Sequence, residues 1–144
     1  MLERRCRALR EIAVLLDEMQ IKIRYRSPRM TELIEETAAE SAFADNAFIR
    51  RVCMAMREGS PINEAWSFAA KTSPFLTETD RDILTDIASG LGGSDTEGQL
   101  SLLSLGGTMI DRALEQAEND RSGRSRMLMS VWTLCGIGAG IIIL

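Results

Sequence analysis

The sequence predicts an all-α protein: a bundle of about six helices followed by a C-terminal transmembrane helix. Three observations carry this. Apolar residues recur at intervals of three and four along most of the chain from Leu2 to Ala117. No segment alternates with period two, and strand-favouring runs bounded by turns are absent. The last stretch, Met127 to Leu144 (MLMSVWTLCGIGAGIIIL), is eighteen residues without a charge.

The terminal stretch sets the expected topology. At ~1.5 Å per residue it is roughly 27 Å long as a helix, close to the ~30 Å hydrocarbon core of a bilayer. Only Ser130 and Thr133 are polar, and each hydroxyl can return to a backbone carbonyl one turn back. Arg121, Arg124 and Arg126 precede the stretch and no Lys or Arg follows it. The positive-inside rule therefore predicts a cytoplasmic domain at 1–126, a span at 127–144, and Trp132 near the interface. The competing reading is a buried apolar hairpin element or an apolar tail.

The first helix is expected over Leu2–Arg26, where Leu2, Cys6, Leu9, Ala13 and Leu16, flanked by Ile12, Leu15, Met19 and Ile23, make a stripe wide enough to face a bundle core. Ser27-Pro28 then reads as N-cap and N1 of a second helix over Pro28–Glu40. A third, about Ala44–Glu58, presents Phe48, Val52, Ala55 and Met56 and stops at Gly59, a suitable C′ residue. Ser60-Pro61 repeats the start signal for a fourth, about Pro61–Lys71; the two Ser-Pro pairs, 33 positions apart, hint at a helix-hairpin repeat. Thr79 with Asp82 reads as the cap of the fifth helix, and Gly90, Gly92 and Gly93 end it. Ser94 with Glu97 is the expected capping box of a long last helix, in which Gly106-Gly107 is a weak point offering a bend.

Composition narrows the function classes. A net charge of −4 argues against nucleic-acid binding, which needs a basic surface. The arginines cluster instead at Arg4, Arg5, Arg7 and Arg10 and at Arg121–Arg126, where they suit either anionic headgroups or a solvated face. With no histidine, the usual general base and the commonest metal ligand are missing. Cys6, Cys53 and Cys135 lack metal-site or disulfide spacing. Carboxylate pairs such as Glu35-Glu36 read as solvated faces, and the glycine-rich GLGGSDTEG lacks the strand and GK[ST] of a phosphate loop. No catalytic, cofactor or metal residues are expected. Arg50, Arg51 and Arg57 make the third helix basic, a candidate docking face for an acidic partner where the default reading is a solvated face.

The segments REGSPINEAWSFAA, TDRDILTDIASGLGGSDTEGQLSLLSL and RALEQAENDRSGRSRMLMSVWTLCGIGAGIIIL, in that order and spacing, resemble the stage III sporulation protein AB family over nearly the whole chain. That family is itself similar to the cytoplasmic domain of the type II secretion system F protein. The resemblance implies a non-enzymatic platform in the channel linking mother cell and forespore, held at the outer forespore membrane with most of the chain in the mother-cell cytoplasm. It implies a secretion-type ATPase and other membrane proteins of the channel as partners, and it leaves homo-oligomerisation open. It also implies a hydrophobic helix ahead of Leu2, which this sequence does not contain. The alternative from another class is a tail-anchored adaptor or regulatory protein with no secretion role.

Overall fold

Met30, Leu33, Ile34 and the stripe of the first helix are buried together with apolar residues from every later helix, so one continuous core organises the chain. A computed structural model describes residues 2–26, 29–92 and 95–132, with the side chains of the last helix described as far as Asp120. Among the described residues there are six α-helices and no strand: α1 Leu2–Arg26, α2 Met30–Ala39, α3 Ala47–Arg57, α4 Ile62–Thr72, α5 Glu78–Ala88 and α6 Thr96–Trp132. A short 3₁₀ turn, Ser41–Phe43, separates α2 from α3.

α1 has the expected bounds, and its stripe from Cys6 to Ile23 is buried. It packs most extensively on α6, and the two run antiparallel. Arg10 pairs with Glu118, Asp17 lies near Asp111, and Gly107 sits beside Gln20. α6 has 37 residues and is therefore about 55 Å long, roughly 18 Å more than α1. At the centre, Trp66 of α4 is fully buried and meets Phe48 of α3 edge to face, with ring centroids 4.8 Å apart.

Helix ends differ from the sequence reading in instructive ways. α2 begins at Met30 behind an extended Arg29 that offers no side-chain cap; the Ser27-Pro28 pair lies outside the described residues. α3 starts at Ala47, three residues late, because Asn46 takes the cap: its Oδ1 accepts from the Ile49 amide at 3.3 Å while its Nδ2 donates to the Glu11 carbonyl of α1 at 3.0 Å. Gly59 closes α3 as expected, at φ +104, with its own amide and that of Ser60 bonded back to Met56 and Ala55. That closure occupies Ser60, so Pro61 becomes the extended N-cap of α4 rather than its first helical residue.

The cap of α5 is Thr77, not Thr79. Two overlapping Thr-x-x-Asp patterns compete there, and the one chosen is the one whose aspartate, Asp80, can be buried against Arg5. Likewise Asp95 caps α6, accepting from the Gly98 amide at 2.8 Å, in place of the expected Ser94, which lies outside the described residues.

α6 passes through Gly106-Gly107 without a break. Both glycines are buried, and a Cβ on Gly106 would lie 2.4 Å from Ile87 Cδ1. A missing side chain lets α5 approach α6 closely there. Among the described residues no helix is long and apolar enough to cross a membrane. Residues 133–144 of the expected span lie outside the described residues, while α6 runs unbroken from the bundle to Trp132.

Candidate functional site

The three arginines singled out on α3 do not form one patch. At 100° per residue Arg50 and Arg57 share an aspect of the helix and Arg51 is turned well away from them. Arg50 and Arg57 are exposed. Arg57 pairs with Glu35 of α2 at 3.8 Å, on a shallow surface also lined by Glu32 and Glu36, so part of its charge is already answered. Arg51 turns the other way, toward α1 and the turn after α4, and donates to Ser73 Oγ at 3.4 Å. The side chain of Ser73 is held in turn by the Ala69 carbonyl at 2.7 Å.

The N-terminal arginines also part company. Arg5 is bidentate to Asp80, Nε to Oδ2 at 2.8 Å and Nη2 to Oδ1 at 2.9 Å, with the Asp80 side chain 0% exposed and the Arg5 side chain 17% exposed. Arg10 pairs with Glu118 on the surface. Arg4 and Arg7 face the same groove as Arg51. Burial alone would push the Asp80 carboxyl up, but the Arg5 hydrogen bonds and the Thr77 amide outweigh it and hold it below the usual carboxylate range. Arg5 is raised in return, chiefly by its hydrogen bond to Asp80. This pair ties α1 to the N-terminus of α5 and is structural: both partners are committed to each other and to the cap.

Other ionisable groups follow the same logic. Lys22 is nearly buried, which alone would lower it, yet the Glu40 and Glu18 carboxylates beside it bring it above its ordinary value. The Cys53 thiol is pushed up by burial and by Glu35, so it is not an activated nucleophile. Cys6 and Cys53 are free and buried. Among the described residues no group of carboxylates and cysteines is arranged to hold a metal ion.

Arg121, Arg124, Arg126 and Trp132 all belong to the last turns of α6, beyond the level where Glu118 meets Arg10. In the register set by that pair, Arg121, Arg124 and Arg126 are level with the first turns of α1, and the helix continues beyond the start of α1 to Trp132. Nothing in the residue spacing announces the Arg5–Asp80 pair or the meeting of Arg4, Arg7 and Arg51, because 75 residues separate the first pair and α1 must be docked on α3 to make the second.

A family model described as stage III sporulation protein AB matches residues 1–144, the whole chain. No curated protein matches the chain. No solved structure matches it either.

Proposed function

The chain belongs to the stage III sporulation protein AB family and has a sporulation role; from that premise we propose that it is a non-enzymatic membrane platform of a secretion-like channel. Residues 1–126 form its cytoplasmic bundle and 127–144 cross the outer forespore membrane from the mother-cell side. The bundle presents a face to a secretion-type ATPase and α6 joins that face to the membrane assembly.

One observation supports this reading most. α6 is a single continuous helix from the bundle core at Leu103 to Trp132, inside the uncharged C-terminal stretch. A rigid element common to the bundle and the span is what a platform needs to pass a conformational change from cytoplasm to membrane. Arg50 and Arg57, exposed on α3 and distant in sequence from the membrane-flanking arginines, are the proposed ATPase contact; Arg51, grouped with them in sequence, turns away toward α1.

The test is a titration of the full-length protein, in detergent micelles, against a secretion-type ATPase from the same cell. Saturable binding that weakens about tenfold or more when Arg50 and Arg57 are both changed to Glu supports the reading. Unchanged binding in that variant removes the α3 face. No binding by a protein whose helicity is intact removes the ATPase, and the adaptor reading then takes its place.

A further inference from the structure

A groove of about 420 Å³ lies between α1, α3 and the turn Ser73-Pro74-Phe75. Its floor is apolar: Ile12 and Phe48 are buried beneath it, and Phe75, 37% exposed, forms one wall. Its rim carries Arg4, Arg7 and Arg51. Among the described residues none of these three forms an ion pair, although Glu11 and Asp45 also line the groove. Arg4 lies over the Phe75 ring, 5.3 Å from its centroid, and Arg51 donates to Ser73. Both guanidinium groups are therefore positioned without being neutralised.

Phe75 has φ +71, a left-handed conformation that a bulky side chain adopts at a cost of about 1–2 kcal/mol. The turn bears that strain while holding an aromatic ring at the mouth of a cationic groove. Ring and arginines together suit a ligand with negative charge outside and an apolar group inside.

We propose that this groove binds an acidic peptide segment of a partner protein, with one apolar side chain seated over Ile12 and Phe48 and flanking carboxylates on Arg4, Arg7 and Arg51. Charge complementarity selects the peptide over a lipid surface. Glu11 and Asp45 repel a continuous sheet of anionic headgroups, whereas a peptide places its carboxylates at chosen positions. The inference does not depend on the ATPase reading, and its test uses no ATPase.

The probe is a short fluorescein-labelled peptide of glutamates interrupted by one Phe and one Leu. It is titrated against the full-length protein in phosphatidylcholine nanodiscs and followed by anisotropy. The expected result is saturable binding that drops about tenfold or more in Arg51→Glu and in Arg4→Glu/Arg7→Glu, and when Ser replaces both apolar residues of the peptide. Arg24→Glu, on α1 like Arg4 and Arg7 but exposed outside the groove, leaves the affinity within about twofold. Equal losses in Arg24→Glu and Arg51→Glu overturn the proposal, since binding is then general charge attraction. Absence of binding overturns it too. So does displacement of the probe by short-chain phosphatidylserine but not by excess unlabelled peptide, which assigns the groove to a lipid headgroup. Helicity by circular dichroism is matched for every variant; should Arg51→Glu lose it, Arg51→Gln, expected to show a smaller loss of the same sign, decides.

Discussion

Replacing Asp80 with alanine removes two kinds of interaction at once, and the structure allows each to be sized. The capping box with Thr77 disappears, which costs about 1 kcal/mol. Arg5 is left with a side chain only 17% exposed and its guanidinium without a partner. Breaking a buried pair costs about 3–5 kcal/mol, and the residual access of water to Arg5 reduces this below that range, to about 2–3 kcal/mol. The total, about 3–4 kcal/mol, corresponds to a fall in Tm of roughly 10–15 °C for a chain of this size. Asp80→Asn keeps an oxygen for the Thr77 amide and loses only the charge, so it costs about half as much. In a cycle with Arg5→Met, the double variant is less destabilised than the sum of the singles by about 1–3 kcal/mol.

The same pair has a pH signature. The folded protein holds Asp80 below its ordinary value, so the unfolded chain binds its proton first as pH falls. The stability from this group is present above the unfolded carboxylate value of about 4 and is lost as pH falls through the lower, folded value. Thermal melts by circular dichroism at neutral pH and at several acid pH values check this. The difference between wild type and Asp80→Asn is largest near neutrality and shrinks on acidification. A fall in Tm below about 4 °C for Asp80→Ala, or a difference from Asp80→Asn that does not change with pH, would refute the reasoning.

The helix seams give further tests by the same melts. Gly106→Ala is destabilising by about 1–2 kcal/mol, because the new methyl meets Ile87 Cδ1 at 2.4 Å and overpacking exceeds the gain in helix propensity. Adding Ile87→Val relieves only part of that loss, because Ile87 Cγ1, 2.6 Å from the new methyl, remains. Gly107→Ala, whose nearest neighbour is Gln20 Nε2 at 3.5 Å, is neutral or stabilising by up to about 1 kcal/mol. Asn46→Ala loses both the α3 cap and the bond to the Glu11 carbonyl, at a cost of about 1–3 kcal/mol.

Periodicity made the helices legible, and α1 most of all, because a stripe from Cys6 to Ile23 leaves one choice of buried face. Local signals failed where two solutions were equally good locally. Thr77 and Thr79 each begin a Thr-x-x-Asp pattern, and only a contact with Arg5, 75 residues away, distinguishes them. Asn46 outcompeted an earlier start of α3 because its amide also reaches α1. Gly106-Gly107, read as a point of weakness, is a point of close approach; the sequence shows the missing side chain but not Ile87 opposite it. The arginines show the same limit. Arg4, Arg5, Arg7 and Arg10 form one cluster in sequence, but three destinations in space: the groove, Asp80 and Glu118.

The antiparallel seam of α1 and α6 decides how the molecule bears mechanical load. Tension applied along α6 from its C-terminal end, with the bundle held elsewhere, cannot peel the helix away one contact at a time. It must slide α6 lengthwise, so that Arg10–Glu118, the Gln20–Gly107 contact and the Gly106–Ile87 notch are strained together. Contacts loaded in shear share the force and yield together, whereas contacts at an opening zipper yield in sequence. α6 is thus mounted to transmit a pull along its axis, with Ile87 set against Gly106 as a detent that resists displacement in either direction.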